Sequence, residues 1–154
     1  MRYVPITVSV LLAEAVGVLG SVFTASSVQT WYPTLVKPVW NPPNWVFGPV
    51  WTMLFAFMGI AAYLVWRKRT ASGAVSALIS YGVQLGLNLL WSVLFFGLRA
   101  PGYAAGEILV LLVSIVVTMV LFLRTDRRAG MLFLPYVAWV SFAAVLNWQV
   151  WLLN

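Results

Sequence analysis

Residues 31–49 read WYPTLVKPVWNPPNWVFGP. Trp31, Trp40 and Trp45 fall inside the stretch and Trp51 just past it. Five of the chain's eight prolines are here as well: Pro33, Pro38, Pro42, Pro43 and Pro49. Proline breaks helix interiors and denies a strand its N–H donors. For most of its length the segment is therefore expected to be irregular. One apolar run precedes it and the rest of the apolar sequence follows, so it reads as the first connection between membrane-length elements.

Composition supports that reading. The 154 residues are 63% hydrophobic and 8% charged, whereas a soluble domain is nearer half apolar and a quarter charged. A chain of this length is expected to form one domain, 1–154, and no soluble fold of that size hides so much apolar surface. A helix needs about 20 apolar residues to cross the hydrocarbon core. Five windows qualify, at about 4–26, 45–66, 74–98, 104–123 and 131–153. Barrel strands are about half as long and alternate in polarity, which these runs do not. The expected fold is an all-α integral membrane protein, a five-transmembrane-helix bundle with a long Pro/Trp-rich first loop at about 27–44.

The charges set an orientation. Arg2, Arg67, Lys68, Arg69, Arg124, Arg127 and Arg128 fall on one side of such a bundle, and only Lys37 and Arg99 on the other. Basic loops stay cytoplasmic, so the N-terminus is expected inside and the C-terminus outside. The net charge of +6 is thus topological and does not point to nucleic acid. Glu14 interrupts the first apolar run and argues against a cleaved signal peptide. With no targeting segment visible, a bacterial cytoplasmic membrane is the expected location. Cysteine and histidine are both absent. That excludes disulfides and thiolate metal sites and removes the commonest haem ligand and general base. No metal site and no required cofactor are expected.

Polar groups at membrane depth are few. Gln84, Asn88, Trp91 and Phe95 share one face of the third span at 100° per residue. Tyr136, Trp139, Ala143 and Asn147 do so on the fifth, and Trp51, Phe55, Met58 and Ala62 on the second. Carboxamides facing lipid cost several kcal/mol, so these stripes are expected to point inward. They serve either as interhelical glue and core filler or as the lining of a site for a flat apolar ligand. The chain's nine tryptophans exceed what anchoring at the membrane surface requires, although Trp66 and Trp151 sit at span ends as belt residues do. Glu14, with Gly17 and Ser21 on its face, is either a structural acid or a polar contact to a ligand. Glu107 is placed near a helix start, where a carboxylate is favoured. Gly82 and Gly86 form a GxxxG pattern on the far face of the third span and are candidates for a dimer seam. The first loop, stiffened by proline, is either a lid carrying its rings over the interior or an anchor lying in the headgroups.

At this point the residues resemble a known family. WYPTLVKPVWNPPNWVFGPVWT, QLGLNLLWSVLFFG (84–97) and LPYVAWVSFAAVLN (134–147) resemble three motifs of the TspO/MBR family, in order and across the whole chain. These are the tryptophan-rich sensory proteins related to the mitochondrial translocator protein (the peripheral benzodiazepine receptor). The resemblance implies a five-helix bundle, usually a homodimer, with a ligand cavity beneath the first loop. It implies binding of porphyrins such as protoporphyrin IX and of benzodiazepine-type drugs. Some bacterial members are reported to degrade protoporphyrin in light. Positions matching the family's cavity are Trp31, Tyr32, Pro42, Trp51, Phe55, Asn88, Trp91, Phe95, Trp139 and Phe142. To these the inward stripe of the fifth span adds Asn147. The animal members carry a sterol-recognition pattern late in the fifth helix, with Tyr and a basic residue. VLNWQVWLLN (145–154) has neither, so sterol binding through that pattern is not expected.

Three functions are open on these grounds. The first is a tetrapyrrole-binding sensor in the bilayer, with porphyrin enclosed by Trp51, Trp91 and Trp139 and its polar substituents oriented by Asn88 and Asn147. The second is a light-dependent porphyrin-degrading enzyme. No triad, metal cluster or carboxylate pair is present, so only tryptophan redox chemistry remains there, with Trp31 and Trp139 the candidate catalytic residues. The third is a small-molecule transporter, although no inverted repeat or broken helix suggests one.

Overall fold

The computed structural model describes residues 3–154, with side chains from Ile6 onward; Arg2 of the charge pattern lies outside them. Six α-helices make the fold: α1 (Tyr3–Thr30), α2 (Asn44–Trp66), α3 (Ala74–Ser92), α4 (Pro101–Thr125), α5 (Arg127–Met131) and α6 (Leu134–Leu153). A π-turn, Val93–Gly97, extends α3. No strand occurs among the described residues. Five segments are long and apolar enough to span a membrane, with α5 and α6 together forming the last.

The element bounds depart from the apolar windows where polar residues find local partners. α1 continues to Thr30 rather than stopping near 26. Its late hydroxyls do not break it because they are satisfied on the helix: Thr24 Oγ1 donates to the Gly20 carbonyl and Thr30 Oγ1 to that of Ser26. Ser27 Oγ reaches across to the Phe96 carbonyl at 2.7 Å. The first loop is correspondingly shorter, residues 31–43, with one 3-10 turn at Tyr32–Thr34. Pro49 lies inside α2 and not in the loop. α4 starts at Pro101, its first helical position, where the missing N–H costs nothing. Glu107 is therefore beyond the first turn, and both its carboxylate oxygens are buried without a hydrogen-bond partner. α5 exists because Asp126 caps it, accepting from the Arg128 and Ala129 amides at 2.9 and 3.4 Å. Lys68 Nζ sits 2.8 Å from the same carboxyl and, with those amides, holds it below the usual carboxylate range.

Contacts between connections sort the ends of the bundle. Lys68 joins the α2–α3 connection to the α4–α5 junction through Asp126 and the Thr125 carbonyl. At the other end Asn154 exchanges two hydrogen bonds with the Val36 backbone of the first loop, at 2.9 and 3.0 Å. α4 packs on both α3 and α6, and the core is built from Leu54, Met58, Ile108, Leu111, Ile115 and Tyr136.

Near its start α1 lies against α2 so closely that a Cβ on Gly59 would sit 2.5 Å from Val10 Cα. Ser9 Oγ donates to the Gly59 carbonyl there at 2.7 Å. Near its end α1 is tied to the π-turn through Ser27. α1 is thus held to α2 near its start and to the π-turn near its end, and the site described next lies beside it.

Candidate functional site

A cavity of about 380 Å³ lies between α1, α2, α3 and α6 on the side of the first loop. That is within the usual range for small-molecule sites. Trp51 and Phe55 of α2, Trp91 and Phe95 of the third span, and Trp139 of α6 supply its rings. Trp91 and Phe95 stack with centroids 5.2 Å apart and planes at 22°. The π-turn begins between these two residues, and such turns are frequent at functional sites. Trp51 meets Tyr136 edge-on at 6.2 Å.

Carboxamides form the back of the cavity, and they are already engaged. Asn147 Oδ1 accepts from the Trp91 indole at 2.9 Å, while its Nδ2 donates to the Pro101 carbonyl at 2.9 Å. Asn88 Nδ2 donates to the Tyr136 hydroxyl at 2.7 Å, and that hydroxyl donates to Gln84 Oε1 at 2.9 Å. Gln84 Nε2 faces the Met58 sulfur at 3.5 Å. The network joins α2, α3, α4 and α6 and fixes the rings in place. Asn147 thus acts on the wall mainly by holding Trp91, and both oriented atoms of its amide are spent within the protein. The free donor is elsewhere: Trp139 Nε1 is buried with no hydrogen-bond partner.

Of the residues anticipated for binding, Tyr32, Trp51, Phe55, Asn88, Trp91, Phe95, Trp139 and Asn147 line the cavity. Trp31, Pro42 and Phe142 are not on its wall. Trp31 meets Phe95 edge-on at 5.7 Å from behind and faces a neighbouring groove with Arg99 and Trp151. Phe142 stands behind Trp139 at 5.4 Å and carries Trp40 on its other side at 5.7 Å. Gly82 and Gly86 are far from the site. Both are exposed, and nothing lies within 4 Å of where their Cβ atoms would be.

The first loop divides its rings between two tasks. Tyr32 turns inward, 5% exposed, with its hydroxyl donating to Asn41 Oδ1 at 3.0 Å. Burial raises the phenol above its ordinary range, so it remains a neutral donor. Lys37 Nζ braces the turn by donating to the Tyr32 and Leu35 carbonyls at 2.8 and 3.0 Å. Trp40 and Trp45 stay exposed.

The sequence reading found only part of the α1 wall. Glu14, Gly17, Ser21, Thr24 and Val28 line the cavity from that helix. Their spacing of three and four residues is the one that identified the other stripes, and only its first three members had been noticed. Val18 and Ser21 of α1 and Asn44, Gly48 and Thr52 of α2 belong to the wall while also exposed on the outer surface. The cavity therefore opens sideways between α1 and α2, along the lengths of two membrane-length helices, and Tyr32 of the first loop lies at its end.

Comparison with known proteins agrees with this architecture. The family model described as TspO/MBR family matches residues 9–152. The chain is 42% identical to the Tryptophan-rich protein TspO of Archaeoglobus fulgidus over 155 residues, 100% of this chain and 99% of that protein. It is 39% identical over 143 residues to the Translocator protein of Homo sapiens, 91% and 85% of the two chains. Over 124 residues it is 40% identical to the Tryptophan-rich sensory protein of Cereibacter sphaeroides, 80% and 77% of the two.

Proposed function

The chain belongs to the TspO/MBR family, and from that premise we propose that it is a membrane-embedded binding and sensor protein for tetrapyrroles such as protoporphyrin IX and for other flat apolar ligands, benzodiazepine-type drugs among them. One observation carries the reading: a cavity walled on three helices by Trp51, Phe55, Trp91, Phe95 and Trp139. Rings fixed by a hydrogen-bonded frame favour planar partners, since offset and edge-on contacts are worth about 0.5–1.5 kcal/mol each beyond the area buried. The unpartnered Trp139 indole N–H suits an acceptor such as a porphyrin carboxylate. The sideways opening suits a ligand arriving from the bilayer. The names of two relatives, a sensory protein and a translocator protein, are consistent with binding, and no metal-ligating cluster occurs among the described residues. Titration of purified protein with protoporphyrin, haem, bilins and sterols, followed by tryptophan fluorescence, tests the reading. Saturable quenching by protoporphyrin supports it, and equal response to all four classes opposes it.

The protein sits in this reading in a bacterial cytoplasmic membrane with its C-terminus outside, because the end bearing Arg67, Lys68, Arg69, Arg124, Arg127 and Arg128 is the basic one. A C-terminal reporter active only in the cytoplasm is expected to stay silent, and strong activity reverses the orientation.

It works as a homodimer through the open face of α3. Gly82 and Gly86 leave that face flat, and Val75, Ile79, Val83 and Leu90 beside them are exposed. Flat glycine faces let helices approach closely. Gly82→Leu with Gly86→Leu is expected to shift crosslinked dimer to monomer with the monomer still folded, since neither side chain meets its own protomer. An unchanged dimer places the seam elsewhere.

A further inference from the structure

Beside the first loop, and separate from the ring-lined cavity, lies a second groove of about 690 Å³. Trp31, Arg99, Tyr103 and Trp151 line it together with Gly102 and Asn154. We propose that this groove binds the headgroup of an anionic phospholipid from the adjoining leaflet, with the Arg99 guanidinium on the phosphate and the rings against the glycerol and upper acyl region. The proposal does not depend on what the other cavity binds.

Depth is the first argument. The groove lies where the spans beginning at Pro101 and ending at Thr30 and Leu153 reach the surface, the level at which lipid phosphates lie. Tyr103 is 79% exposed and Trp151 44%, as expected for rings that sit among headgroups.

Charge is the second. The chain has three acidic residues, Glu14, Glu107 and Asp126. Asp126 is paired with Lys68 at the opposite end, and the two glutamates lie within spans. No acidic side chain therefore shares the Arg99 surface, and Arg99 makes no ion pair or hydrogen bond among the described residues. Lys37, the other cation at this end, is spent on the Tyr32 and Leu35 carbonyls. Arg99 is left as a forked cation at phosphate depth, and guanidinium matches phosphate oxygens two at a time.

Backbone geometry is the third. Arg99 has φ +53°, left-handed, where every non-glycine residue is disfavoured. A glycine would be more comfortable, yet an arginine is held there. The groove wall is equally constrained: a Cβ on Gly102 would lie 2.7 Å from Trp151 Nε1, so the indole is seated directly on the first turn of α4.

The test is native mass spectrometry after reconstitution in nanodiscs of mixed phosphatidylcholine and phosphatidylglycerol. The wild type is expected to retain one phosphatidylglycerol in preference to phosphatidylcholine. Arg99→Gly relieves the backbone, should melt no lower than the wild type, and is expected to lose about five-fold in that preference. Arg99→Lys keeps a charge and should keep most of it. Excess inorganic phosphate should not displace the lipid. Equal retention by the wild type and Arg99→Gly overturns the site, and so does absence of any preference in the wild type. Displacement by free phosphate overturns the lipid as its occupant.

Discussion

Gly59→Ala is expected to cost this protein about 1–3 kcal/mol, the usual range for forcing atoms into a filled contact, and to lower its thermal midpoint in detergent by roughly 3–10 °C. The added Cβ would meet Val10 Cα at 2.5 Å, with the Ser9 carbonyl oxygen and Val10 N at 2.9 Å. These are backbone atoms, so no rotamer change relieves the clash and α1 must move away from α2. Separation also stretches the Ser9–Gly59 hydrogen bond. Gly59→Leu should go further and prevent the folded protein from accumulating, since total stabilities are only about 5–15 kcal/mol. Gly82→Ala is the contrast: nothing in its own chain lies within 4 Å of its Cβ position, so it creates no clash there and the folded monomer should be no less stable. Because Gly59 sets how closely α1 lies against α2, and both helices line the cavity, Gly59→Ala should weaken ligand binding as well. A variant that melts and binds like the wild type would remove this contact from the account.

The number of spans was readable because length and hydropathy alone determine it. Their ends were not, because each depends on a hydrogen bond between particular atoms. Ser27 looks like the start of a loop until its hydroxyl is seen on the Phe96 carbonyl, and the π-turn at Val93–Gly97 has no sequence pattern of its own. The inward direction of Gln84, Asn88 and Asn147 was legible from their shared helical faces, and all three are buried. Their employment was not: periodicity says which way a carboxamide points, whereas the partner comes from another helix. Asn147 meets Trp91 across 56 residues of sequence. Resemblance to a family has a similar limit. It picked out Trp31, Pro42 and Phe142, which are not on the cavity wall, along with residues that are, since a motif carries both the side chains that line a cavity and those that stand behind them. The α1 wall was followed only as far as Ser21 for a simpler reason: Thr24 and Val28 carry no aromatic ring to draw notice, though their spacing was plain.

Ala143→Trp is expected to abolish protoporphyrin binding, with a loss of at least about 100-fold. Ala143 lies on the cavity wall between Trp139 and Asn147 on the same face of α6. An indole there projects a large flat ring into the same space of about 380 Å³ that a planar ligand needs. It fills a void without crowding the core, so the protein should melt near the wild-type temperature. Unchanged binding would mean that the ligand sits elsewhere. Trp139→Phe is the finer probe. It removes an N–H that has no partner within the chain, so the fold loses no hydrogen bond. Phenylalanine also presents a smaller ring, so a loss of up to about 1 kcal/mol, or five-fold, reports lost contact, and a larger one of about 1.5–3 kcal/mol, or roughly 10- to 150-fold, reports a hydrogen bond to a charged acceptor on the ligand. Trp31→Phe should leave affinity nearly unchanged, because Trp31 is absent from the cavity wall. The same pair separates sensor from photochemical enzyme at ligand concentrations that saturate each variant. An indole acting as electron donor to the excited porphyrin would make light-dependent porphyrin loss vanish in Trp139→Phe, since phenylalanine is much harder to oxidise. A sensor is expected instead to show loss no faster than free porphyrin in detergent, and equally so in the wild type, Trp139→Phe and Trp31→Phe.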